Sequence, residues 1–427
     1  MSPQLIIVFF LALFILEFLV EFGLNELNLA YVRRRAGDAK LPDSLAGAMS
    51  PGERQKSIDY TLARGRFQRW AALYDILIAL FILFGGALPA LDRLAQSLGA
   101  HFPPGARAAG IIFCLGVALV FSLLNLPVDL YSTFVLEERF GFNKTTPGLY
   151  VADRLKAFAL ALAIGAPFLF AVLWLMDAAG PYWWFWVFIF ISAFQLLMVV
   201  LYPTLIAPLF NKFEPLKEGE FKERILKMAD QIGFKTGGIF TMDGSRRSAH
   251  SNAYFTGLGK SKRIVLFDTL AGQMTTDQGV AVLAHEMGHY KMKHIRRMLV
   301  LRSLFLLAGL YVLSLLIHYD PLFAAFGFDR PSNYAALVLV SLLAGPATFY
   351  LTPLLNHVSR KHEYEADRFA AETLKDSKPM EEALVKLSIE NLSNPTPHPW
   401  YSAYHYSHPT TPERVSAMRA AAPPENR

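Results

Sequence analysis

The sequence has a single cysteine, Cys114, so no disulfide can form within the chain and a thiolate metal site is argued against. Charge is scarce as well. Only 18% of the 427 residues are charged, 53% are hydrophobic, and mean hydropathy is +0.31. That deficit argues against an ordinary soluble protein and for several membrane crossings. The N-terminus lacks a basic leader, and no small-x-small cleavage pattern follows Phe22, so the first apolar stretch is expected to stay as a span. There is no Gly-rich phosphate loop, which removes nucleotide chemistry of that type. Repeats are missing too, and the only biased tract is a polar tail from about Ala420, expected to lack order.

What is present fits a membrane. A crossing helix needs about 20 mostly apolar residues. Such runs occur near 4–24, 68–91, 109–131, 155–176, 182–207, 298–318 and 333–355, which makes seven spans. The net charge of +6 could suggest nucleic acid, but the basic residues crowd beside the apolar runs, as membrane-flanking charge does. The expected partner is the lipid bilayer, with no nucleic acid.

Two polar blocks, roughly 210–295 and 357–427, hold every histidine except His101 and His318. The expected division is spans one to five in 1–209 and a first catalytic part in 210–297. Spans six and seven follow in 298–356, then a second catalytic part with the C-terminal tail in 357–427. Arg33, Arg34, Arg35, Lys40, Arg54, Lys56, Arg64, Arg66 and Arg69 crowd the first loop. The loops that fall on the other side carry only Arg93, Arg107 and Arg330. The excess of Lys and Arg on the cytoplasmic side of membranes then puts both polar blocks in the cytoplasm.

Within the first block, Leu216, Phe221, Ile225, Met228 and Ile232 recur at near-helical spacing, so 216–233 should be an amphipathic helix. Arg263–Phe267 reads as a strand, 276–295 as a helix opened by Thr275 or Thr276, and 358–374 as another helix.

The chemistry centres on His285-Glu286-Met287-Gly288-His289. Residues four apart share a helix face, so both imidazoles can reach one Zn2+ at about 2.0–2.1 Å. Glu286 then stands beside the ion, placed to act as base toward a water. Chance occurrence is the bland alternative, but two histidines and a glutamate on so apolar a helix would be costly without a role. A metzincin would place a third histidine and a glycine where this chain has Ile295 and Met292, and His294 is out of register, so that class is excluded. A better source of the third ligand is Ser359–Asp367. Glu363 and Asp367 share a helix face there, while Glu365 points away. One carboxylate can bind the ion and the other can hold a ligand histidine by its second nitrogen. A plain solvated charged helix is the competing reading.

With these residues in view, the chain resembles the zinc-dependent CAAX prenyl protease 1 family over nearly its whole length. The resemblance rests on Glu138–Asn143, Pro208–Asn211, Ser248–Gly257, Arg263–Leu270, the H-E-x-x-H helix, Glu363–Asp367, and His405–Pro409 with Arg414. It implies a mainly α, polytopic membrane protein with seven transmembrane helices. These would enclose a chamber capped by a zincin-like (gluzincin) metalloprotease domain with a small β-sheet. It implies His285, His289 and Glu363 as ligands of one zinc ion and Glu286 as general base. His408 would steady the oxyanion, Asp367 would support a ligand, and Arg414 and Arg360 would order the site. Asn252 and Ala253 would make backbone contacts to an extended substrate, a role that strand addition at a sheet edge would also give them.

The resemblance further implies hydrolysis near the C-terminus of prenylated or related peptides, in a bacterial inner membrane or an endoplasmic reticulum. Glu17, Glu21, Asp75, Asn125 and Asp129 within the spans fit a watery interior, since an ionised group facing lipid costs a few kcal/mol. Interhelical glue is the plainer account of them. The rival functions are a quality-control metalloprotease of membrane proteins and a non-enzymatic seven-helix scaffold or transporter.

Overall fold

The computed structural model describes residues 1–37, 41–234, 236–257 and 262–421. Lys40 of the basic loop and the tail beyond Ala421 lie outside the described residues. Five long helices come first: α1 (Pro3–Ala36), α2 (Pro51–Phe84), α3 (Gly105–Glu137), α4 (Pro147–Ala178) and α5 (Gly180–Phe210). Then follow β1 (Phe213–Pro215), α6 (Glu220–Ile232), β2 (Ile239–Met242), β3 (Ala253–Thr256), β4 (Arg263–Phe267) and α7 (Thr276–Lys291). The remainder is α8 (His294–Leu316), α9 (Asn333–Phe349), α10 (Thr352–Leu374), α11 (Lys378–Glu390), α12 (Pro399–His405) and α13 (Thr411–Ala421). By length and composition α1–α5 and α8 can each cross a membrane, and α9 with α10, bent by 64°, makes a seventh if the pair is taken as one broken span.

Two of the expected spans stop early, each for a backbone reason. The run 68–91 is broken after Phe84 by Gly85-Gly86, with Gly86 left-handed at φ 75°. A separate short helix, Ala87–Gly99, takes up the rest. The run 333–355 ends at Phe349, because Pro353 lacks the N–H that would continue the ladder. The bend there turns α10 out of the span direction and across α7. The 356–357 border drawn from hydropathy thus falls inside a single helix.

Burial along the spans follows one pattern. At the end away from the catalytic domain, Phe10, Ile78, Ile82, Phe113, Val172, Leu173, Trp183, Val187, Leu310, Leu313 and Leu339 converge in one apolar cluster. Toward the catalytic end, Asn25, Asn28, Leu29, Tyr60, Gly65 and Leu136 are buried again. Between these zones no residue of 11–24, 66–77, 118–135, 147–171, 188–202 or 295–309 is buried. A solid bundle would bury an inner stripe along each helix. These helices instead stand apart at mid-height and close at both ends, leaving an open interior. Glu17, Glu21, Asp75, Asn125 and Asp129 all fall in that stretch, and Asp129 pairs with Arg154.

The polar domain outside the spans is built on a four-stranded sheet of order β1-β2-β4-β3, with β2 and β4 parallel and the outer pairs antiparallel. Its apolar face (Ile239, Ala253, Ile264, Leu266) packs on α6 through Ile225 and Met228 and on α7 through Val280, Leu283, Ala284 and Met287. Arg247 ties this domain to the spans. Its guanidinium donates twice to the Asp153 carboxylate, at 2.8 and 3.1 Å, and to Asn211 Oδ1 at 2.8 Å.

Candidate active site

Helix α7 starts at a reciprocal cap. The Thr275 hydroxyl accepts from Gln278 N, and the Gln278 side chain accepts from Thr275 N. From there Val280–Ala284 anchor it on the sheet and fix the rotation of His285, Glu286 and His289. Gly288, between the two histidines, sets the distance to α10. A Cβ at that position would lie 3.1 Å from Ala366 Cα and 3.3 Å from Ala366 O. The two helices therefore meet backbone to backbone, and this close approach carries Glu363 to the imidazoles.

His285 Nε2 and His289 Nε2 face each other at 3.1 Å. His285 Nε2 lies 3.4 Å from Glu363 Oε2, and His289 Nε2 lies 3.3 Å from Glu363 Oε1. Ligands of a tetrahedral zinc at about 2.0–2.1 Å stand about 3.3 Å apart, so this triangle has the size of one face of such a site. Glu363 Oε2 is buried and accepts no hydrogen bond from the described residues. Its neighbours His285 Nε2 and Arg414 Nη1 each stand 3.4 Å away, too far for a well-made hydrogen bond, so an ion could still complete that oxygen, and among the described residues this is the one triad that could hold a metal.

Charge around the triad is tightly coupled. His285 Nδ1 donates to Asp367 Oδ1 at 2.8 Å, and Asp367 is clamped by Arg414, Nε to Oδ2 at 2.8 Å and Nη2 to Oδ1 at 2.6 Å. Burial and Arg414 press the His285 pKa down, but its bonds to Asp367 and Glu363 outweigh them and leave it at about 9. Burial alone would raise Glu363, yet both imidazoles hold it well below the usual carboxylate range. Asp367 is likewise lowered, as Arg414 and His285 overcome its burial. Glu286 moves the other way. Burial lifts its carboxyl, and His285 and His289 only partly draw it back. A carboxylate raised in this way is a better proton acceptor than an exposed one.

The remaining expected site residues divide into those near the triad and those at a remove. His408 Nε2 reaches Glu363 Oε1 at 3.3 Å from a cavity of about 850 Å³ that Arg414, His250, Tyr401 and His405 also line. Arg360 does not join the triad. It donates to Glu413 Oε1 at 2.9 Å, and Glu413 in turn accepts from Thr410 N at 2.7 Å, so Arg360 braces the loop that bears His408. Ala253 opens β3, one of the two edge strands of the sheet, and Asn252 immediately precedes it. Because Phe267 N donates to Asn252 O at 3.0 Å, the next residue turns its backbone groups outward, and Asn252 Oδ1 accepts from Ala253 N at 2.8 Å.

Two residues here were not legible as site residues. The helix expected over 276–295 ends at Lys291, and Lys293 turns left-handed at φ 62° before α8 begins. That turn swings His294 back to His289, Nδ1 to Nδ1 at 3.0 Å, and its Nε2 lies 2.9 Å from Glu365 Oε2. On one continuous helix, positions five apart would not share a face. Glu365 does point away from the triad, as expected, but toward this histidine.

Comparison with known proteins agrees over both halves. Residues 32–212 match the model for "CAAX prenyl protease N-terminal, five membrane helices", and 215–422 match peptidase family M48. A CAAX prenyl protease 1 homolog of Oryza sativa subsp. japonica is 38% identical, covering 89% of this chain and 90% of that protein. CAAX prenyl protease 1 of Saccharomyces cerevisiae is 37% identical, covering 90% of each. The crystal structure of S. mikatae Ste24p superposes with a TM-score of 0.88 at 34% identity, over 96% of this chain and 98% of that one.

Proposed function

The chain belongs to the CAAX prenyl protease 1 family and is a zinc-dependent membrane endopeptidase, and on that premise we propose which side chains do the chemistry, on what substrate and on which side of the bilayer. His285, His289 and Glu363 would hold the single Zn2+, and the observation that carries this is the triangle of their ligand atoms, all within 4.8 Å of one another. Zinc held there would supply Lewis-acid chemistry, activating a water and polarising the scissile carbonyl. Glu286 takes the proton from the attacking water and passes it to the leaving amine. His408, whose side chain is 62% exposed and stands beside Glu363, donates to the developing oxyanion. Ala253 aligns the peptide by its outward backbone groups at the β3 edge.

The substrate class we propose is a prenylated or related peptide cut near its C-terminus. The open interior between the spans leaves room for a lipid chain and a peptide. The catalytic end also carries the basic stretch from Arg33 to Arg69, which favours a cytoplasmic site. The test is Glu286→Gln in purified protein, assayed for zinc content and for cleavage of farnesylated and unprenylated peptides. Retained zinc with cleavage reduced at least a thousandfold is expected. Full cleavage by this variant would remove Glu286 as base, and cutting confined to unprenylated peptides would favour quality control.

A further inference from the structure

We propose that His294 and Glu365 form a proton-ordered ladder that fixes His289 as a zinc ligand, which makes both of them positioning residues of the site. The inference rests on His289 being a ligand. An ion at His289 Nε2 takes that nitrogen's lone pair, so the ring proton sits on Nδ1. Nδ1–H then donates to His294 Nδ1 at 3.0 Å. Accepting there leaves His294 its own proton on Nε2, which donates to Glu365 Oε2 at 2.9 Å. Each step dictates the next, so one carboxylate sets two tautomers.

The surroundings hold this arrangement. His294 is 2% exposed, and its ring lies flat on His362, with centroids 4.0 Å apart and planes at 13°. Arg297 Nη1 stands 3.7 Å from the Glu365 carboxylate, from the first turn of α8. The outcome is a symmetry of support. His285 leans on Asp367 directly and His289 leans on Glu365 through His294, so Glu363, Glu365 and Asp367 of one helix supply a ligand and both supporting carboxylates. It also links the two halves of the catalytic domain through a residue of span six.

The test uses purified full-length protein and reads zinc affinity by chelator competition, with the visible spectrum of the cobalt-substituted form as a second readout. His294→Phe keeps ring size and the stack on His362 but removes both hydrogen bonds. It should weaken zinc binding about 10- to 100-fold and shift the cobalt bands. Glu365→Leu, at a half-exposed position where loss of folding is not expected, should weaken it about tenfold. Glu365→Gln, whose amide oxygen still accepts, should stay within about threefold of the wild type. Wild-type affinity and an unchanged cobalt spectrum in both His294→Phe and Glu365→Leu would overturn the ladder. His289→Ala separates the two ideas, since zinc retained there would sink the ligand assignment itself.

Discussion

At the scale of single residues, the site is a problem in placing charge where water cannot screen it. Asp367 is 1% exposed and Arg414 8%, so each needs the other. Removing one partner of a buried pair costs about 3–5 kcal/mol. Because Glu363 remains 3.4 Å from Arg414, Asp367→Ala should fall at the low end, about 3 kcal/mol by thermal unfolding, with zinc affinity down about 10- to 100-fold. An unchanged melting temperature would show that Arg414 is solvated after all. The pH response follows from His285. Its pKa rises from an ordinary 6.5 to about 9 in the metal-free triad, so below that pH the ring holds a proton that an ion must displace. The raised pKa favours the competing protonated form. Zinc affinity should therefore fall about tenfold per pH unit below 9 and level off above it, as read by chelator titration across pH 6–10. A flat profile would contradict the coupling to Asp367 and Glu363.

At the scale of elements, the decisive contact is α7 against α10, and Gly288 decides how close it is. Gly288→Ala would press on the Ala366 backbone, which cannot move without the helix, and on the Phe369 ring. Overpacking of this kind costs about 1–3 kcal/mol. It should also displace Glu363, one turn before Ala366, enough to weaken zinc binding and cut kcat more than it raises KM. Equal zinc affinity in that variant would mean that the helix spacing does not set the triad. How legible all this was depends on distance along the chain. The spacing of His285 and His289, the strand Arg263–Phe267 and the apolar runs are local patterns, and local patterns read well. The glycine break after Phe84, the left-handed turn at Lys293 and the bend before Pro353 each depend on a few backbone angles that hydropathy does not register. His294 and Glu365 are 71 positions apart and meet only after two of those turns are made.

At the scale of the whole molecule, the spans do different things at different heights, and each end is closed by its own kind of contact. Apolar convergence seals the far end, where Phe113 and Phe323 are almost wholly buried. Polar contacts join the near end, where the Asn25 amide donates to Gly65 O at 2.9 Å and His398 N donates to Asn28 Oδ1 at 3.0 Å. A cap fixed to the spans in this way gives the catalytic domain one side of the membrane for good, and the arginine excess of the first loop is the ground for proposing the cytoplasmic side. Because Cys114 is the sole cysteine, Cys114→Ala leaves a clean background for single probes. Ala46→Cys beside the catalytic domain and Asp329→Cys in the loop between α8 and α9 are both exposed positions. With a membrane-impermeant maleimide, the Asp329 position should be labelled on intact spheroplasts and the Ala46 position only on inverted vesicles. The reverse pattern would put the zinc site outside the cell, and labelling of both positions from one face would mean that α8 and the bent α9–α10 pair do not cross as drawn.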